Sequence, residues 1–114
     1  MNEFRRARRR KAAEAVAVQD MMTEEVSGQI GNLSESGMLM QVRRPGMDDA
    51  LYQFRFQLRS RSGSRAIDVG AHQLWSEPPG TRGPGWAGFR FVDLSEEDLA
   101  WIRDWVDEPG GQYA

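Results

Sequence analysis

The chain has 114 residues, 39% of them hydrophobic and 28% charged, which is typical of one globular domain rather than of a disordered or fibrous chain. It has no cysteine and one histidine, which excludes disulfide scaffolds, thiolate metal sites and histidine-cluster zinc sites. The net charge is −2, yet residues 1–11 carry six cations against one anion, which points to an anionic ligand bound by this segment.

After the basic start, short apolar stretches alternate with turn-forming residues. In the clearest stretch, Leu51–Leu58, apolar and polar residues alternate as in a strand with one buried face, the apolar set being Tyr52, Phe54, Phe56 and Leu58. Five further strands are predicted, at Ala15–Val18, Val26–Ile30, Met38–Val42, Ala66–Trp75 and Ala87–Val92. About six short strands at this spacing indicate an antiparallel barrel or sandwich.

A helix is predicted after the last strand, over residues 95–107. Ser95 can cap it, Asp98 stands at the third helical position as in a capping box, and Pro109 with Gly110 ends the segment. Trp101 and Trp105 fall beside the apolar stripe of this helix rather than within it. The pair is predicted to form a surface for a protein partner, and packing in the core is the alternative that the breadth of the apolar stripe favours.

Nothing in the sequence pairs a nucleophile with a base. The single histidine, His72, lies opposite the apolar set of its strand and is predicted to be a solvent-facing structural residue. We therefore expect no enzymatic activity, no metal and no cofactor. No apolar run approaches the ~20 residues of a membrane helix, and no apolar stretch follows the basic start, so the expected location is the cytoplasm.

Two short motifs carry the functional information. In the arginine run at residues 5–10, pairs four residues apart occur in two registers, Arg5 with Arg9 and Arg6 with Arg10. The other motif is Asn32-Leu33-Ser34-Glu35-Ser36-Gly37, between two predicted strands. Alone, the arginine run is typical of an arm that is solvated or that binds nucleic acid loosely. The second is typical of a hairpin turn in which Asn and Ser bond the backbone and Gly takes a positive φ.

Together, the ordered pair Arg-x-x-x-Arg and Asn-x-Ser-x-x-Gly resembles the PilZ domain family. The resemblance continues through Met38-Leu39-Met40, Leu74-Trp75 and Gly88-Phe89-Arg90-Phe91-Val92-Asp93-Leu94-Ser95, and it covers essentially the whole chain. It implies a six-stranded antiparallel β-barrel with a C-terminal helix. It also implies a bacterial, non-catalytic receptor that binds the second messenger cyclic di-GMP and signals to a downstream protein partner.

The resemblance divides the chain into a flexible ligand-binding arm (residues 1–11), a barrel with its helix (residues 12–108) and a tail (residues 109–114). It implies ligand contacts from Arg5, Arg6, Arg9, Arg10, Asn32, Ser34 and Gly37. An arginine guanidinium can form two parallel hydrogen bonds to a phosphate or to the O6 and N7 edge of guanine. The side-chain oxygens of Asn and Ser can form hydrogen bonds with a base or a phosphate, and Gly lets the backbone approach the ligand closely. The arm is predicted to close over the barrel when the ligand binds and thereby to transmit the signal to the downstream partner.

Two alternatives remain open. One is a small barrel that binds nucleic acid through its basic arm; it is the weaker alternative because the Tyr52, Phe54 and Phe56 face is that of a core rather than of a stacking surface. The other is a PilZ-like adaptor that binds only protein, against which the intact motifs argue. No specific nucleic acid and no membrane span are expected.

Overall fold

The computed structural model describes residues 7–44 and 46–114. Within them it contains seven strands and one helix: β1 (Arg10–Lys11), β2 (Ala17–Asp20), β3 (Val26–Leu33), β4 (Gly37–Val42), β5 (Leu51–Ser60), β6 (Gly63–Glu77), β7 (Gly85–Leu94) and α1 (Glu96–Val106). Each of the six predicted strands overlaps one of β2 to β7, and the predicted helix overlaps α1. The predicted site residues Arg5 and Arg6 lie outside the described residues.

Six strands close into a barrel in which neighbouring strands are antiparallel. The order is β1-β3-β2-β5-β6-β7-β4, and a further pairing of β3 with β4 closes the ring. β1 is an extra strand beside β3, with Arg10 opposite Leu33 and Lys11 opposite Asn32. The predicted fold class, a six-stranded antiparallel barrel with a C-terminal helix, is confirmed. Strand β1 was not predicted, because two basic residues carry no apolar alternation.

The barrel interior is filled by the inward-facing residues of the strands. Along β5, Phe54, Phe56 and Leu58 are buried while the intervening Arg55 and Gln57 are exposed, as the alternation predicts. The Phe54 ring packs edge-on against Phe89, with 5.2 Å between the ring centroids. Removal of this apolar surface from water is the main force that holds the strands together, at about 25 cal/mol per Å².

Helix α1 begins as its sequence predicts. The Ser95 hydroxyl accepts a hydrogen bond from the Asp98 N–H at 3.1 Å. The Asp98 carboxylate does not complete a capping box; it is buried and accepts hydrogen bonds from Arg65 Nε at 2.8 Å and from the Asp68 N–H at 3.2 Å. The first turn of the helix is thereby tied to β6. Among the described residues, no helix is long and apolar enough to cross a membrane.

The partner surface predicted for Trp101 and Trp105 is wrong. Trp105 is only 6% exposed. Trp101 is half-buried, and its Nε1 donates a hydrogen bond to the Leu58 carbonyl at 2.9 Å. Packing in the core, the alternative, is what the structure shows. The reason is that α1 lies against the end of the barrel near the β5–β6 turn, and its contact face is broad enough to include both rings.

The residues predicted as a tail pack along β1. The Lys11 N–H donates to the Gln112 carbonyl at 2.7 Å, and the Ala114 N–H donates to the Arg9 carbonyl at 2.9 Å. Arg10 and Tyr113 form an isolated antiparallel bridge. We call residues 107–114 the C-terminal segment. β1 is therefore held on one side by β3 and on the other by the C-terminal segment, while the mobility predicted for the arm stays a prediction.

Candidate functional site

The two motifs meet on the outside of the barrel, where Arg9 contacts Asn32. The Asn32 Oδ1 accepts a hydrogen bond from Arg9 Nη1 at 3.1 Å, across 23 positions of sequence. Asn32 lies near the end of β3, and the pairing of β1 with β3 carries Arg9 to it. The structure thus joins Arg9, from the register of Arg5 with Arg9, to the second motif.

Arg8 and Arg10 point to the opposite side of the arm from Arg9, because successive side chains alternate along an extended chain. The Arg10 guanidinium donates to Glu108 Oε1 at 2.8 Å and to the Trp105 carbonyl, and it lies 4.5 Å from the centre of the Trp105 ring. Arg8 lies 4.1 Å from the centre of the Tyr113 ring. The structure therefore places Arg10, from the second register, against the helix and away from Asn32.

Glu108 is the anionic group at the centre of these contacts. Besides Arg10, it accepts the Arg61 N–H on Oε2 at 2.6 Å, and the side chains of Arg10 and Glu108 are only 16% and 13% exposed. Burial acts to raise the pKa of Glu108. The hydrogen bonds from Arg10 and Arg61 and the charges of both residues outweigh burial and hold this pKa below its ordinary value. The carboxylate is therefore ionised at neutral pH.

The second motif forms the β3–β4 turn. The Ser34 hydroxyl is fully buried, lies 3.0 Å from the Ser36 hydroxyl and accepts the Ser36 N–H at 3.1 Å. The Ser34 N–H donates to the Gly37 carbonyl at 2.9 Å. These are the bonds expected of a hairpin turn. They place the hydroxyl inside the turn rather than on the surface, so a ligand contact by Ser34 requires the turn to open.

Gly37 is required by strand packing and not by a positive φ, so the positive φ expected of it is wrong. A Cβ at this position would lie 2.1 Å from the carbonyl oxygen of Phe89. Here β4 pairs with β7, with Gly37 opposite Arg90. Glycine permits this close approach of two backbones, and its predicted contact with a ligand stays a prediction.

A row of cross-strand partners runs from Asn32 across the outside of the barrel. Asn32 on β3 is opposite Leu39 on β4, which is opposite Gly88 on β7, which is opposite Trp75 on β6. With strands about 4.8 Å apart, the row spans roughly 14 Å. The Trp75 indole lies over Gly88, where a Cβ would come within 2.3 Å of Nε1. Trp75 is still 44% exposed and presents an aromatic surface.

Two further cations flank this row. Arg90 lies two residues beyond Gly88 on the same side of β7 and is exposed, and its side chain makes no hydrogen bond or ion pair with any described residue. Lys11 is exposed opposite Asn32. We call Arg9, Lys11, Asn32, Leu39, Trp75, Gly88 and Arg90 the outer face. It combines cations, an amide oxygen and an exposed indole, which suits an anionic ligand with aromatic rings.

Sequence reasoning did not identify Trp75 and Arg90 as site residues. Their signal was present, since both fall in the segments that carry the family resemblance, Leu74-Trp75 and Gly88-Phe89-Arg90. What was missing was the strand register, which puts Trp75 and Arg90 on the same face as Asn32. Register depends on pairing between distant segments and is not encoded in either segment alone.

No metal site accompanies the outer face within the described part of the chain. No group of three or more His, Cys, Asp or Glu side chains there is placed to hold a metal ion.

His72 is half-buried, with Nε2 3.3 Å from Asp49 Oδ1, rather than open to solvent as predicted.

A cavity of about 1090 Å³ lies at the end of the barrel opposite α1, at the β2–β3 and β4–β5 connections. Its lining includes Met40, Val42, Phe54 and Phe89 and none of the predicted ligand residues that the structure describes. The candidate site is therefore the outer face and not this cavity.

Comparison with known proteins gives one family and several similar structures. The family model described as PilZ domain matches residues 3–108. The structure of the Bacillus subtilis inhibitor of motility (MotI/DgrA) is similar, with a TM-score of 0.73 and 12% identity over 90% of this chain and 48% of that one. The PilZ domain of YcgR from Escherichia coli, solved with c-di-GMP, is also similar. Its TM-score is 0.61, and it is 13% identical over 90% of this chain and 88% of that one.

At these identities the similarity to solved structures shows the fold. The chain spans about half the length of the MotI/DgrA chain and most of the YcgR domain. No curated protein matches the chain.

Proposed function

The chain belongs to the PilZ domain family, whose model covers residues 3–108, and on this basis we propose that it is a non-catalytic receptor for cyclic di-GMP. The observation that carries the proposal is the 3.1 Å contact of Arg9 with Asn32, which joins the two motifs at the edge of the outer face. The similar PilZ domain of YcgR was solved with this nucleotide.

The outer face matches the chemistry of the ligand. Cyclic di-GMP carries two phosphates and two guanines on a compact ring. The Arg9 fork can pair with a phosphate or with the O6 and N7 of guanine, at about 1–3 kcal/mol for each good pair. When Arg9 turns to the ligand, the Asn32 Oδ1 is released to accept a guanine amino group. Arg90 and Lys11 add positive charge on the same surface.

Trp75 supplies the stacking surface of the proposed site. Its indole lies close over Gly88, because no side chain stands between the ring and the β7 backbone at that position. Bases stack on such exposed rings with about 1–3 kcal/mol each, whatever their edge contacts. The indole therefore adds a contact to the guanine bases that the two motifs do not provide.

The proposed relay runs from the arm to α1. On ligand binding, the part of the arm that precedes β1, including Arg5 and Arg6, closes over the outer face and changes the surface that a downstream protein meets. β1 connects this arm to the helix, because Arg10 contacts both Trp105 and Glu108. A movement of the arm is thereby transmitted to the C-terminal segment.

The test is calorimetric titration with cyclic di-GMP, with GTP and duplex DNA as matched ligands. We expect saturable heat with cyclic di-GMP and weaker or no binding of the other two. Absence of heat at ~100 μM cyclic di-GMP would reject the receptor, because this concentration detects any affinity better than about −5 kcal/mol. Equal or stronger binding of duplex DNA would instead support the nucleic-acid alternative.

A further inference from the structure

We propose that Glu108 and Trp105 are positioning residues that decide which arginine of the arm faces the ligand. They hold Arg10 against the helix, and because side chains alternate along the arm, they present Arg9 on the outer face beside Asn32. This inference rests on the proposed function, since it concerns the arrangement of the same ligand site.

The arginine run does not specify its own register. Arg8, Arg9 and Arg10 are chemically identical neighbours, and a slip of one residue along β3 would exchange the two sides of the arm. Arg10 would then lie beside Asn32, and Arg9 would point to the helix. Something outside the arm must therefore distinguish the two arrangements.

Glu108 and Trp105 provide that distinction. The Arg10 guanidinium meets three groups at once: the Glu108 carboxylate at 2.8 Å, the Trp105 carbonyl and the Trp105 ring. This ion pair is nearly buried, so it is weakly screened by solvent. The neighbouring pair of Arg8 with Asp107 is different, with a distance of 3.5 Å and side chains that are 60% and 68% exposed. Of the two ion pairs, that of Arg10 is the shorter and the less exposed, so we assign the choice of register to it.

Backbone hydrogen bonds carry the choice from Arg10 to Arg9. Lys11 donates to Gln112 on one side of the arm, Ala12 donates to Gly31 at 3.0 Å on the other, and Ala114 donates to the Arg9 carbonyl. With Arg10 held, these bonds keep Arg9 at Asn32 before any ligand arrives. Preorganisation of this kind raises affinity, because the conformational entropy of the Arg9 side chain is lost during folding rather than on ligand binding.

The first experiment compares Glu108→Gln with Asp107→Asn by titration with cyclic di-GMP. The two acids are adjacent, and both pair with an arginine of the arm. We expect Glu108→Gln to weaken binding about tenfold, the effect of a lost charge-assisted hydrogen bond, and Asp107→Asn to change it less than about twofold. Tighter binding by Glu108→Gln would overturn the proposal, because Glu108 would then compete with the ligand for Arg10.

The second experiment separates positioning from direct contact by conservative substitution. Arg10→Lys keeps a cation for Glu108 and Trp105, so it is expected to restore most of the affinity that Arg10→Ala loses. Arg9→Lys is expected to lose nearly as much as Arg9→Ala, because an ammonium cannot form the bidentate fork. If Arg10→Lys loses as much affinity as Arg9→Lys, Arg10 contacts the ligand itself and the proposal is wrong.

A ligand-free measurement distinguishes failure of this inference from failure of the receptor. The NMR signals of the Asn32 side-chain amide are expected to shift in Glu108→Gln and to stay unchanged in Asp107→Asn. This result is independent of nucleotide binding. Absence of cyclic di-GMP binding by the unmodified chain would reject the proposed function, whereas an unchanged Asn32 signal in Glu108→Gln would reject the positioning role.

Discussion

The two ends of the barrel are held in different ways. At the end that carries α1, the C-terminal segment and the β3–β4 turn, charged side chains are paired: Arg10 with Glu108, Arg65 with Asp98, and Arg103 with Glu35. We call this the paired end. At the other end, which we call the open end, a cavity of about 1090 Å³ reaches the core, and Met22, Val26, Met47 and Leu51 are exposed at its connections.

For the ligand proposed here, the size of a cavity is a poor guide to the position of the site. A ligand with two phosphates and two guanines needs donors in fixed positions and a ring to stack on, more than it needs an apolar space. The paired end and the adjoining outer face supply Arg9, Asn32 and Trp75. The open end has cations too, Arg43 and Arg44, but both are exposed and neither has a hydrogen-bond or ion-pair partner among the described residues.

The largest expected effect is on stability and separates the two ends directly. Trp105→Ala removes a buried ring that packs under Arg10, and we expect the free energy of unfolding to fall by about 3–5 kcal/mol. Met22→Ala, at an open-end residue that is 81% exposed, is expected to change it by less than about 0.5 kcal/mol. Urea denaturation measures both. Similar losses from the two variants would show that the ends do not differ as described.

The next effect is on affinity and compares three arginines of the arm with one at the open end. Arg9→Ala is expected to weaken binding of cyclic di-GMP by about 1–3 kcal/mol, as is Arg5→Ala, while Arg8→Ala costs less. Arg43→Ala at the open end is the matched control and should leave affinity unchanged, since it removes the same charge from the other end of the barrel. Equal small losses at all four positions would indicate unspecific attraction to the basic residues.

Local features of the sequence were sufficient to predict most of the fold. The alternation along Leu51–Leu58 and the Ser95 cap depend on residues within one turn or one strand, and both appear as predicted. The packing of Trp101 and Trp105 against the core was left open by the sequence, because it depends on where the helix meets the barrel. Strand β1 escaped prediction for the same reason: its partners are β3 and the C-terminal segment.

The candidate site was only partly predictable, because distant residues determine its geometry. The choice between Arg9 and Arg10 depends on Glu108, which is 98 positions from Arg10. The need for glycine at position 37 comes from the Phe89 carbonyl on another strand. The composition of the motifs led to the proposed ligand class, whereas the contacts that orient each side chain depend on the pairing of the strands.

A smaller effect tests the outer face itself. Trp75→Ala is expected to weaken binding by about 1 kcal/mol through lost stacking, measured under conditions in which the variant is folded. Leu74→Ala is the matched control, since Leu74 is the adjacent residue and is 47% exposed. If both variants bind as the unmodified chain does, the ligand does not reach β6.

The smallest expected effect is an acid dependence confined to the paired end. The folded chain holds the pKa of Glu108 below the ordinary value of 4.5. Ionised Glu108 therefore stabilises the folded chain fully at a pH above the unfolded pKa, and this stabilisation is lost as the pH falls through the folded pKa. Arg10 keeps its charge throughout. Below that pH the carboxyl no longer pairs with Arg10, and the contact between β1 and the C-terminal segment weakens.

Amide hydrogen exchange of Lys11, whose N–H is bonded to the Gln112 carbonyl, reports this contact. After correction for intrinsic exchange rates, we expect its protection to fall in acid in the unmodified chain. In Glu108→Gln the protection of the Lys11 amide should be lower already at pH 7. It should not fall further in the pH range in which Glu108 of the unmodified chain takes up a proton. An identical acid response in both proteins would assign the effect to other carboxylates. Glu108 would then not be the group that holds the arm.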